Sequence, residues 1–152
     1  MGRLYDKELT MRIAYFDCFS GVSGDMILSA FLDSGLDFKY LKNQLEKLKL
    51  RGYSIKKKRV NVSGFSAIKL EVILDKNSAV HKRKTLREIK NIIENSRLNS
   101  EIKKSAFRIF DSLAYAESAA HGIKKNRVHF HEIGDTDSLI DVAGAAIAFD
   151  YF

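Results

Sequence analysis

The sequence predicts an α+β fold, a small antiparallel or mixed sheet packed with about five helices. Three observations carry that prediction. Two apolar, alternating runs meet at Ser63-Gly64, which reads as a β-hairpin. Later stretches carry apolar residues at helical spacing behind recognisable capping residues. No proline interrupts the 152 residues, which suits a chain rich in continuous helix. The hairpin forces antiparallel pairing, so a doubly wound parallel sheet is not expected.

Taken in order, residues 1–10 (MGRLYDKELT) are polar and charged and read as an extension before a single α+β domain over 11–152. Residues 12–18 (RIAYFDC) read as the first strand, ending in a carboxylate and a thiol. A Gly/Ser loop, FSGVSGD, leads into a largely apolar helix over 25–34 that expects burial. A second helix over about 38–50 carries Tyr40, Leu41, Gln44, Leu45 and Leu48 at helical spacing, with Gly52 closing it. The hairpin occupies 53–62 and 65–74. In its second strand Ile68, Leu70, Val72 and Leu74 alternate with Lys69 and Glu71, giving one covered face and one wet face.

Thr85-Leu86-Arg87-Glu88 is a capping box that starts a helix running to about Asn95. Asn99 or Ser100 caps a longer one, whose Ile102, Ala106, Ile109, Phe110, Leu113, Ala116 and Ala120 form an apolar stripe ending at Gly122. Residues 128–133 read as a short extended segment, a fourth candidate strand. Asp135, Thr136 or Asp137 caps a last helix running through Phe152, and its AGAAIAF core is apolar on nearly every side. That helix expects to be covered. With no C-cap or polar tail after it, the chain reads as the N-terminal module of a longer protein, or one that docks a partner.

Composition narrows the function classes. An apolar fraction of 45% and a charged fraction of 30% are those of a globular chain rather than a disordered one. The net charge of +7 favours anionic partners. The clumps KKKR (56–59), KRK (82–84) and KKNR (124–127) read as solvated faces and turns. Neither aromatic interleaving nor a known nucleic-acid motif accompanies them, which leaves nucleic acid a weak second choice. One cysteine, Cys18, rules out an internal disulfide framework and suits a reducing compartment. No signal peptide or membrane-spanning run is evident, and a cytoplasmic location is expected.

Two sites stand out. The first is the loop after the first predicted strand, with Asp17, Ser20, Gly21, Ser23, Gly24 and Asp25. Glycines admit a ligand close to the backbone, and a helix N-terminus turns free N–H groups toward an anion. Read blandly, the same residues are a turn with Ser23 or Asp25 as N-cap. Asp17, at the end of a strand, is placed to face a metal or a protonatable atom. Cys18 reads first as a buried, inert thiol.

The second is 121–141, HGIKKNRVHFHEIGDTDSLID, which holds three of the four histidines and four carboxylates. If 128–133 is extended, His129 and His131 share a face, as a chelate requires, and Glu132 faces the other way. Glu117 and His121 lie at i, i+4, and Asp137 and Asp141 repeat that spacing on the last helix. Singly, each has a bland reading as a helix residue, dipole partner or cap. Together, two imidazoles amid carboxylates favour nickel, zinc, manganese or iron, without choosing among them. His81, in a basic polar stretch, reads as surface.

The stretches YFDCFSGVSGDM, AESAAHG and VHFHEIGDTDSLIDVAGAA together resemble the nickel insertion protein of lactate-racemase cofactor maturation, the LarC family. The resemblance runs from Met11 through the whole chain. It implies nickel insertion into the pyridinium-3,5-bisthiocarboxylate mononucleotide, a lyase-class step that depends on CTP and on a divalent cation such as manganese or magnesium. His121, His129, His131, Glu132, Asp137 and Asp141 match the family's HG…HFHE…D…D pattern, and Asp17, Ser20, Gly21, Ser23, Gly24 and Asp25 match its loop. Implied partners are the cofactor precursor and a C-terminal region or separate C-terminal chain, with further copies of the same chain also expected. Two departures stand out. Many members carry a His-rich stretch where this chain has HKRK, and family proteins are longer, their CTP-binding part lying C-terminal. The chain alone is therefore not expected to complete the reaction. The competing reading is a non-catalytic metal-binding or assembly module that docks a C-terminal catalytic part.

Overall fold

The computed structural model describes residues 13–75, 83–125, 128, 130 and 134–152. Its elements, in chain order, are α1 (Gly24–Asp33), α2 (Phe38–Glu46), β1 (Tyr53–Val62), β2 (Phe65–Leu74), α3 (Leu86–Glu94), α4 (Ser100–His121) and α5 (Thr136–Tyr151). Among the described residues, five helices around a two-stranded antiparallel sheet make the α+β arrangement that the sequence predicts.

The hairpin forms in the expected register, Val62 opposite Phe65 and Tyr53 opposite Leu74. Ser63 and Gly64 both take positive φ, 51° and 84°, the backbone of a type I′ turn. The Asn61 side chain accepts from the Gly64 N–H at 3.1 Å. One face carries Ile55 and Leu70 into the core, with Ile68 and Val72 packed beside them. The other is wet and charged, with Glu71 between Lys58 (2.6 Å) and Lys69 (3.5 Å).

Helix α1 lies along β2. Its Ser29 hydroxyl donates to the Asp25 carbonyl (2.6 Å) and accepts from the Leu70 N–H (2.9 Å), so a helix side chain satisfies a backbone donor of the strand. The expected capping box starts α3: the Thr85 hydroxyl accepts from the Glu88 N–H, and the Glu88 carboxylate accepts from the Thr85 N–H at 2.7 Å. Asn99 caps α4 by accepting from the Ile102 N–H at 2.8 Å, and Gly122 ends it in the left-handed region. The buried stripe of α4 is Ile102, Ala106, Phe110 and Ala114. The predicted continuation through Ala116 and Ala120 is instead exposed.

Helix α5 is the centre of the fold. Leu139, Ile140 and every residue from 143 to 148 are buried, in a core shared with α1, α2 and α4. The apolar middle of α5 is thus covered by the chain's own elements, while Phe149, Tyr151 and Phe152 at its end stay partly exposed.

The first predicted strand does not form. Residues 13–18 belong to no strand, and Ile13, Tyr15 and Phe16 are exposed. Apolar, β-branched composition makes a strand only where an edge is available to pair with, and no described strand lies alongside. Asp17 therefore does not end a sheet strand, and Cys18 is exposed rather than buried. Of 128–133, only Val128 and Phe130 are among the described residues. Both are buried, the Phe130 ring 6.4 Å from that of Phe110.

Candidate functional site

The two candidate segments meet where α1 and α5 begin. A Cβ built on Gly24 would lie 2.5 Å from the Asp141 Cβ, and one on Gly144 would lie 2.8 Å from Leu28 Cδ1. Further along, the rings of Phe31 and Phe149 stand 5.0 Å apart. The contacts advance together along both helices, so α1 and α5 run parallel. Their N-termini open at the same end of the molecule. Glycine at both close points is what lets the backbones approach this far.

Asp25, in the first turn of α1, and Asp141, one turn inside α5, are thereby brought together. The Asp25 backbone N–H donates to the Asp141 carboxylate, and the Ser23 hydroxyl donates to the Asp25 carboxylate. Among the described residues, the buried Oδ1 of Asp141 has no hydrogen-bond partner. Burial raises the Asp141 pKa from 3.8 to about 6, and the charges of Asp25 and Asp137 push the same way. The Asp25 amide opposes them. An orphaned acceptor on a carboxyl that resists ionisation is the local chemistry a cation would relieve.

Asp137 lies exposed on the first turn of α5, after Asp135 at the N-cap. Beside it sits a residue that sequence reasoning missed. Lys84 donates through Nζ to Thr136 Oγ1 at 3.0 Å, and its backbone N–H donates to the Gly134 carbonyl at 2.9 Å. Burial lowers the Lys84 pKa, against the pull of Asp135, Glu88 and Asp137. In the sequence Lys84 is the last member of a basic clump read as a solvated face, and nothing local distinguishes it from its neighbours.

The remaining predicted residues stand apart or beyond description. Glu117 and His121 pair with each other on α4, Oε1 to Nε2 at 3.4 Å. Asp17 and Ser20 are exposed in the approach to α1, where the Gly21 N–H closes a turn on the Cys18 carbonyl at 2.9 Å. His129, His131 and Glu132 lie outside the described residues, as does His81. Among the described residues no three side chains of metal-binding type come together.

The sequence profile of a family described as nickel insertion protein matches residues 14–152. The chain belongs to the nickel insertion protein family. A relative from Geobacillus kaustophilus, named pyridinium-3,5-bisthiocarboxylic acid mononucleotide nickel insertion protein, is 39% identical over 145 residues, covering 91% of this chain and 35% of its own length. A nickel insertion protein of the same name from Akkermansia muciniphila is 37% identical over 146 residues, 92% of this chain and 36% of its own. A relative from Citrifermentans bemidjiense, described only as a nickel insertion protein, reaches 40% over 141 residues, again 36% of its length. The chain thus spans little more than a third of the curated relatives it matches. No solved structure matches it. Among the described residues no helix is long and apolar enough to cross a membrane.

Proposed function

We propose that this chain is the N-terminal, nickel-handling module of a longer nickel insertion protein. Nickel, the cargo of the reaction, is held by Asp141 together with His129 and His131, then passed to a pyridinium-3,5-bisthiocarboxylic acid mononucleotide. The observation that carries this reading is the buried Asp141 Oδ1, without a hydrogen-bond partner among the described residues, at the shared N-terminal end of α1 and α5. Imidazole nitrogen with carboxylate oxygen suits nickel(II), and a carboxyl that resists ionisation gives up its proton when a cation arrives. Asp25 is the second carboxylate. Asp137, Glu132 and the Glu117–His121 pair are the outer candidates for ligation.

The precursor is anionic through its thiocarboxylates and phosphate. Two helix N-termini and the half-buried Lys84 ammonium give this end of the fold the positive potential such a ligand seeks. In this assignment Ser20, Gly21, Ser23 and Gly24 form the loop that approaches it, and Asp17 flanks them. CTP use, and the manganese or magnesium that accompanies it, are assigned to the part of the longer protein beyond this chain. Nickel-edge X-ray absorption on nickel-loaded protein tests the assignment. Imidazole scattering that disappears in His129→Ala/His131→Ala supports it, and an unchanged spectrum removes it.

A further inference from the structure

One face of the molecule is built from aromatic rings with little over them. Phe31, buried near the end of α1, packs edge-on against Phe16 at 5.8 Å and Phe149 at 5.0 Å, and stacks on Phe152 at 5.7 Å. Its three neighbours are 40–54% exposed. Tyr15 and Phe19, on either side of Phe16 in the chain, are 87% and 92% exposed. Exposed apolar side chains scattered singly need no explanation, whereas a contiguous aromatic patch marks an interaction surface. Residues 13–18 add a second oddity, an exposed segment of strand composition with no strand beside it among the described residues.

Both features have one explanation. We infer that this face is the seat of the polypeptide that follows the matched region in the longer relatives, and that a strand from that polypeptide pairs with residues 13–18. The inference rests on the module reading above and is independent of the metal. Nearly two thirds of the Citrifermentans bemidjiense relative lies outside its match to this chain, enough for a further domain with a sheet of its own. The family match runs through Phe152, at the end of α5, and Phe152 is itself part of the face. In a longer relative the following residues would leave α5 from this patch. The added strand would pair with the exposed backbone of 13–17, and its flanking side chains would cover Tyr15, Phe16 and Phe149.

Hydrogen exchange read by mass spectrometry tests this on two proteins, the present chain and the full-length Geobacillus kaustophilus relative. The amides of 13–18 should exchange at close to the unprotected rate in this chain, and the aligned amides of the full-length protein should be slowed by about 100-fold or more. Fast exchange in both proteins would overturn the inference. So would protection in the present chain that is lost on dilution and in Tyr15→Asp, because the occupant would then be a second copy. Neither result depends on nickel, so the metal assignment stands or falls separately.

Discussion

Gly24 and Asp141 touch so closely that a Cβ added to the glycine would sit 2.5 Å from the aspartate Cβ. The obstruction is the root of the Asp141 side chain on a buried helix, so it cannot swing aside. Gly24→Ala should therefore part α1 from α5 and cost about 1–3 kcal/mol in urea unfolding, as overpacked sites do. Full stability in this variant would show that the helices tolerate a wider spacing.

Asp141 also sets a pH dependence. Its folded-state pKa of about 6 lies above the ordinary 3.8. Between those values the folded chain holds a proton that the unfolded chain releases. The stability this contributes is fully present below about pH 4 and is lost as pH rises through about 6. A shift of this size corresponds to roughly 3 kcal/mol at most. Partial exposure reduces that to about 1 kcal/mol. Metal-free Asp141→Asn should flatten the fall in unfolding free energy between pH 5 and 7, and at pH 8 should equal or exceed the parent in stability. A parallel pH profile in the variant would contradict the assignment.

Ser29 is the link between α1 and the sheet. Ser29→Ala leaves the Leu70 N–H without its acceptor, at an expected cost of about 1–2 kcal/mol. The Leu70 amide should also exchange faster than those of its neighbours on β2, which NMR can read residue by residue.

These dependences show which parts of the molecule were legible in the sequence. The hairpin turn, the Thr85 box and the Asn99 cap, one of the two caps the sequence offered, are local, each written in residues at most three apart, and all form. Residues 12–18 misled because strand formation depends on a partner edge that composition cannot supply. Ala116 and Ala120 continue the α4 periodicity, but the neighbouring elements do not cover that part of the helix. Asp25 and Asp141 were each visible as candidates, yet their meeting depends on two glycines that let distant helices close together. Lys84 was hidden in plain composition, since burial alone separates it from Arg83.

The Thr85 box offers a check of a local feature close to the site. Thr85→Ala removes the hydroxyl that accepts from the Glu88 N–H, and should cost about 1 kcal/mol. Because the adjacent Lys84 reaches α5 through its own contacts with Gly134 and Thr136, nickel affinity should stay within about twofold of the parent. A large loss of affinity would mean that the start of α3 shapes the site directly.

The central claim is that Asp141 and the two histidines hold nickel. Calorimetric titration of nickel into the parent chain, Asp141→Asn and His129→Ala/His131→Ala tests it most directly. The parent should bind one nickel ion per chain, Asp141→Asn should bind at least about tenfold more weakly, and the double variant should show no saturable binding. Asp141→Asn is expected to fold at least as well as the parent, so its loss of affinity would report the site itself. Equal affinities in all three proteins would contradict the account.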